Sequence, residues 1–196
     1  PAMATMLCFI TTDADVPKED MDELLKAATE HSFNRISVDG DTSTNDTVML
    51  LSNKQSAQYH KGAFAEALNK IMFELAMMIL KDGEGANKLV AFEVKGAKTE
   101  EEAKKASMAL SNSLLVKTAL FGEDPNWGRI ASTIGASGIA CDDETLTIHY
   151  DDLLIYSSVC RELDKAREDQ AYTIMKQDSF KVTCDIGLGD ASYTSY

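Results

Sequence analysis

Apolar, β-rich runs alternate along this chain with stretches of helical periodicity, and that alternation restricts it to an α/β architecture. Residues 5–12 read as a buried strand around the run Met6-Leu7-Cys8-Phe9-Ile10. Asp13-Ala14-Asp15 breaks it, and Pro17 opens a helix whose apolar positions Met21, Leu24, Leu25, Ala28 and Phe33 recur at helical spacing. Residues 35–39 alternate as a strand, 40–46 form a polar loop, and 47–51 make a second apolar strand. A long amphipathic helix is predicted over 62–80, with glycine following it in the capping role. Further on come a strand at 88–94 and a helix at 99–111, opened by the capping-box pattern Thr99-Glu100-Glu101-Glu102. An apolar strand at 114–121 and a helix at 126–136 follow. The chain closes with a hairpin at 145–150 and 153–156, a helix at 164–175 and a strand at 180–186. The Gly-, Ser- and Asp-rich stretch 136–143 is the one candidate boundary, giving subdomains 1–136 and 137–196.

Charge narrows the partners. The net charge of −13 would repel phosphates, which argues against nucleic acid and anionic membranes, whereas a small cationic substrate such as a basic amino acid is tolerated by this field without being required by it. Cys8, Cys141, Cys160 and Cys184 form no C-x-x-C pair and have no zinc-site spacing, so no metal is expected. Cys8 and Cys184 lie in strand-like runs and read as buried free thiols, which fits a reducing, cytoplasmic compartment. The start of the chain does not have the pattern of a basic-then-apolar leader, and the apolar stretch at 75–80 is too short to span a membrane.

Four clusters could carry chemistry. Thr5 follows small Ala4 and precedes an apolar run; it is either a plain strand residue or a hydroxyl that attacks the Ala4 carbonyl. Asp39-Gly40-Asp41-Thr42-Ser43-Thr44-Asn45-Asp46-Thr47 is the densest polar run, and on composition it is a turn whose side chains cap their own backbone. Gly83-Glu84-Gly85 sets a carboxylate at the negative end of a helix, unfavourable by roughly 0.3–1 kcal/mol, where it could instead hold a substrate ammonium. Asp124-Pro125-Asn126-Trp127-Gly128-Arg129 is either a helix start with Trp127 packed inward or a pocket wall with Arg129 for a carboxylate. His31, His60 and His149 are scattered among polar neighbours and read as structural, so a base would have to come from elsewhere.

Taken in order, these motifs resemble the ornithine acetyltransferase (glutamate N-acetyltransferase) family of arginine biosynthesis. The resemblance runs through Met3-Ala4-Thr5-Met6-Leu7, Asp41-Thr42-Ser43-Thr44-Asn45-Asp46-Thr47, Gly83-Glu84-Gly85, Val116-Lys117-Thr118-Ala119-Leu120-Phe121-Gly122 and Asp124-Pro125-Asn126-Trp127-Gly128-Arg129, on to Asp185-Ile186-Gly187-Leu188-Gly189-Asp190. It implies the β chain of a precursor that splits itself at Ala4-Thr5, without that chain's C-terminal end. Thr5 is then the nucleophile, its freed amine the base, and an acetyl-threonine ester the intermediate between N2-acetylornithine and glutamate. Glu84 is implied to bind substrate, and Asn45, Asp46, Asn126 and Arg129 to support the pocket. The implied fold is a layered α/β sandwich completed by an α chain, which carries the oxyanion donors, with the αβ units pairing as α2β2 or larger. No bound cofactor is expected; acetyl-CoA would enter as a substrate. A related self-cleaving amidase or aminopeptidase, with water as acceptor, is the alternative.

Overall fold

The computed structural model describes residues 5–196, in two compact units divided after Gly83. The first contains β1 (Leu7–Ala14), α1 (Lys18–Glu30), a 3-10 turn at Phe33–Arg35, β2 (Thr47–Ser56) and α2 (Lys61–Lys81). The two strands pair in parallel, from Leu7 opposite Thr47 to Thr12 opposite Ser52. Parallel pairing requires a crossover, which α1 and the following loop supply. α1 packs on α2, and Leu24, Ala28, Phe33, Ile36, Leu68 and Met72 are buried in this unit. Side chains alternate along each strand, so the in-register pair puts Leu7, Phe9, Met49 and Leu51 on a single face. That face is open: the four are 60%, 61%, 43% and 52% exposed.

The strand expected at 35–39 does not form. Phe33–Arg35 coils into the 3-10 turn, and in the stretch after it only Ser37 makes a β-bridge. Ile36 and Ser37 are both buried although they are neighbours, which a strand with alternating faces does not allow.

The second unit, Glu84–Tyr196, is built on a five-stranded mixed sheet. Its elements are β3 (Leu89–Ala97), α3 (Glu100–Asn112), α4 (Leu114–Phe121), α5 (Trp127–Ala136), β4 (Thr147–Tyr150), β5 (Leu153–Tyr156), α6 (Lys165–Met175), β6 (Ser179–Asp185) and β7 (Ala191–Ser195). The strand order is β5-β4-β6-β3-β7, with β3 and β6 parallel and every other pairing antiparallel. α3 lies against β3 and β7, α5 packs on α3 and α4, and α6 lies beside β5. The α/β layers read from the sequence are present, with helices α1, α2, α3, α5 and α6 and strands β1 to β6 close to their expected positions.

Three features of this unit differ from the sequence reading. Residues 114–121 are helical rather than extended. Ser113 caps the turn by accepting from the Val116 N–H at 3.3 Å, and the buried Val116, Ala119 and Leu120 follow helical spacing while Leu114, Leu115 and Phe121 face out. Periodicity does not separate helix from strand in an apolar run this short. β7 was not anticipated, because its Ser- and Thr-rich sequence has no apolar alternation. Its place is fixed by buried polar groups: the Ser195 hydroxyl donates to the Ser107 carbonyl at 2.8 Å, and the Ser107 hydroxyl lies 2.7 Å from both Ser195 Oγ and the Phe92 carbonyl. Finally, the expected 136/137 boundary lies inside this unit, where Ile130 and Ile134 of α5 share a core with Ile148 of β4 and Val182 of β6.

Gly96 shows how tightly the sheet end is drawn. It has a φ of +69°, and a Cβ there would sit 2.7 Å from the Gly187 nitrogen. Gly96→Ala is expected to destabilise the protein by about 1–3 kcal/mol, read as a lowered denaturation midpoint. The thiols give a second check. Burial pushes Cys184 up to about 12 and raises Cys8, whereas Cys141 is exposed. Only the thiolate reacts, so Cys141 should label with a thiol reagent at neutral pH while Cys184 labels only after unfolding.

Candidate functional site

Thr5 stands just before β1, exposed and with a φ of 54°. It is the one β-branched residue with positive φ among the described residues, and such a conformation is a genuine outlier for that side-chain type. The polar loop before β2 meets it. Thr5 Oγ1 lies 3.0 Å from Ser43 Oγ, and the next amide, Met6 N–H, donates to Asp46 Oδ1 at 2.8 Å. Thr47 N–H then donates to the Met6 carbonyl at 2.8 Å, where the β1–β2 ladder begins. Met6 itself is buried, so the backbone next to the hydroxyl is packed and hydrogen-bonded, while Thr5 is exposed.

The loop also caps itself, as its composition suggested. Asp39 Oδ1 accepts from Asp41 N–H at 2.9 Å, Ser43 Oγ accepts from Asn45 N–H at 3.1 Å, and the Asn45 carbonyl accepts from Thr47 Oγ1 at 3.0 Å. The turn reading and the site reading therefore describe the same residues. Two clefts flank Met6 in this unit. One, of about 460 Å³, is lined by Asp46, Lys26 and Asn34; the other, of about 640 Å³, has apolar walls that include Leu7, Leu75 and Met78. Ser43 joins the site through its contact with Thr5. It lay within the polar run, but only the strand pairing shows that it faces Thr5.

The other expected residues lie in the second unit. Glu84 is exposed in the turn that opens it, next to Gly85 with a φ of +72°, and its carboxylate has no hydrogen bond or ion pair among the described residues. Asn126 caps α5 by accepting from the Arg129 N–H at 3.2 Å, and its amide donates to Asp124 Oδ2 at 3.1 Å. Arg129 turns back to α4: its Nη1 donates to the Leu115 carbonyl at 3.0 Å and to Thr118 Oγ1 at 2.8 Å. Trp127 stacks on Tyr156 with ring centroids 4.4 Å apart, the inward packing that its helix-start position suggested. Thr5, Ser43, Asn45 and Asp46 thus form one group, while Asn126 and Arg129 form another in which a clear structural role is visible.

The histidines behave structurally where their contacts are visible. His60 Nδ1 accepts from Ala63 N–H at 3.3 Å and caps α2, and burial, followed by the nearby Lys95 charge, holds His149 below its usual range. Among the described residues no group of three His, Cys, Asp or Glu side chains is arranged to hold a metal ion, and no helix is long and apolar enough to cross a membrane. Ala4, the other half of the expected cleavage bond, lies outside the described residues.

These features define a two-unit α/β protein with a conformationally unusual threonine at the head of its first strand. Its fold is that of the arginine biosynthesis bifunctional protein argJ of Bacillus halodurans, with a TM-score of 0.89 at 35% identity over 97% of this chain and 92% of that one. The chain belongs to the ArgJ family, whose model matches residues 1–196. It is 60% identical over its whole length to the arginine biosynthesis bifunctional protein ArgJ of Wolinella succinogenes, covering 50% of that protein. With the glutamate N-acetyltransferase of Methanocaldococcus jannaschii it shares 45% identity over 98% of this chain, again covering 50% of the relative. The chain therefore spans about half the length of the curated relatives it matches.

The two bonds from Arg129 to α4 make a prediction. Arg129→Met should destabilise the protein by about 1–2 kcal/mol through loss of charge-assisted hydrogen bonds, measured as a lowered denaturation midpoint.

Proposed function

We propose that this chain is the nucleophile-bearing part of an acetyltransferase that moves an acetyl group from N2-acetylornithine to glutamate, with Thr5 as the acyl carrier. The observation that carries this reading is the family match across the chain, with Thr5 at the head of β1 in a left-handed backbone and its hydroxyl held by the loop before β2. The names of the relatives at 60% and 45% identity support the reaction class.

The chemistry begins with splitting of a precursor at Ala4-Thr5. A strained residue stores about 1–3 kcal/mol, and cutting the peptide bond before Thr5 releases its φ from constraint. The new α-amine, with an ordinary pKa of about 7.7–8.0, then serves as base for the neighbouring hydroxyl, so this chemistry needs no histidine. Thr5 takes the acetyl group as an ester, ornithine leaves, and the amine of glutamate receives the acetyl group in a ping-pong sequence. Glu84, exposed and without a protein partner among the described residues, suits the charged amine of a substrate. Within the first unit, Asn45 and Asp46 support the nucleophile through the loop before β2; Asn126 and Arg129 keep a supporting role only, since their contacts are made within the second unit. No bound cofactor takes part, and acetyl-CoA is a second donor to be tested as substrate.

The partner is a second chain from the same precursor. The relatives are about twice as long as this chain, and the open apolar face of Leu7, Phe9, Met49 and Leu51 is a surface that a further layer would cover. The αβ units then pair as α2β2 or larger assemblies.

The test uses the full-length precursor. The wild-type protein should split before Thr5 and form acetylglutamate from acetylornithine and glutamate, whereas Thr5→Ala should stay whole and transfer nothing. A Thr5→Ala protein that still splits at this bond would sink the assignment. Release of free acetate at the same rate with or without glutamate would instead identify a hydrolase.

A further inference from the structure

We infer that Ser43 is the positioning residue for the Thr5 hydroxyl, in chain splitting and in acetyl transfer alike; this rests on the reading of Thr5 as nucleophile. Among the described residues, Ser43 Oγ at 3.0 Å is the hydrogen-bond partner of the Thr5 side chain. The serine oxygen is itself fixed, since it accepts from Asn45 N–H at 3.1 Å. The loop that carries it is tied down on both sides: Asn45 to Thr47 Oγ1 at 3.0 Å, and Asp46 to Met6 N–H at 2.8 Å. Ser43 is therefore a hydrogen-bonded polar contact to a residue whose backbone conformation is itself unusual.

A β-branched side chain has few χ1 choices, and its Oγ1 points at the preceding carbonyl in only some of them. The contact to Ser43 selects one rotamer. In splitting, a lone pair on Thr5 Oγ1 forms a bond to the Ala4 carbonyl carbon and the Ala4–Thr5 C–N bond breaks. The hydroxyl proton passes to the departing nitrogen, which leaves an ester and a free amine. Water then adds across the ester, releasing a carboxylate on Ala4 and restoring the Thr5 hydroxyl. In transfer, the Oγ1–acetyl bond forms as the acetyl–nitrogen bond of the donor breaks, and the proton passes through the Thr5 amine to the leaving nitrogen. The return half moves the acetyl group to the acceptor amine and gives the proton back to Thr5 Oγ1. Ser43 gains and loses no proton in either step; it fixes the direction of Oγ1. Misdirection of a reacting atom by about 1 Å costs on the order of 10²-fold in rate.

The experiment follows splitting of the full-length precursor by intact mass, and then kcat and KM for acetyl transfer in the split fraction. Ser43→Ala should split roughly 10²-fold more slowly than wild type and lower kcat with KM unchanged. Its denaturation midpoint should match wild type. Ser43→Thr, which keeps the hydroxyl, should restore both rates. Wild-type rates in Ser43→Ala, beside a wild-type precursor that splits normally, overturn the inference alone. A slowing that comes with a lowered midpoint and that Ser43→Thr does not repair also overturns it, since the residue would then serve only the loop. A wild-type precursor that stays whole overturns the reading of Thr5, and this inference with it.

Discussion

The parallel pairing of β1 with β2 is the constraint on which the site depends. Parallel strands start at the same end, so the residues that lead into one lie beside those that lead into the other. With Leu7 opposite Thr47, the residue two positions before β1 meets the residue four positions before β2. That is how Thr5 comes to Ser43 across 38 residues of sequence. An antiparallel pair would have put the loop at the far end of β1. The same pairing supplies the amide anchor at Met6, so one register decides both where the hydroxyl is and how firmly its neighbour is held.

That pairing has a cost. A two-stranded sheet has two faces, and the helices of this unit cover only one of them. A pair of strands is marginal on its own, and here the uncovered face carries two leucines, a phenylalanine and a methionine. The second unit has no such deficit in its sheet core. Its five strands enclose a core from Val90 to Tyr193, and its polar seam of Ser107 and Ser195 is satisfied internally. The contrast is between a first unit that leaves one apolar face of its strand pair exposed and a second whose sheet carries a covered core.

Much of the fold was legible in the sequence, and the failures have specific physical causes. Long helices with clear amphipathic stripes, such as α2, and strands bounded by turn residues, such as β3 and β6, declare themselves locally. Residues 114–121 did not, because an eight-residue apolar run satisfies both periods and the Ser113 cap decides between them. Residues 35–39 alternated like a strand, yet the buried neighbours Ile36 and Ser37 break that pattern in space. β7 owes its place to a neighbouring strand and to Ser107, neither of which is near it in sequence.

For the site, the sequence by itself determined the chemical groups: a threonine behind a small residue, a polar run, a carboxylate between glycines, and motifs whose order carried the family. These are local properties of side chains and their spacing, and no fold is needed to read them. Only the tertiary structure decided which of them act together. It brought Ser43 and Asp46 to Thr5 through strand pairing and tied Arg129 to the carbonyl of Leu115 in α4. It also gave Thr5 a left-handed backbone that its side chain alone would disfavour. Contacts between residues far apart in sequence depend on register and crossover, and those are properties of the folded chain as a whole.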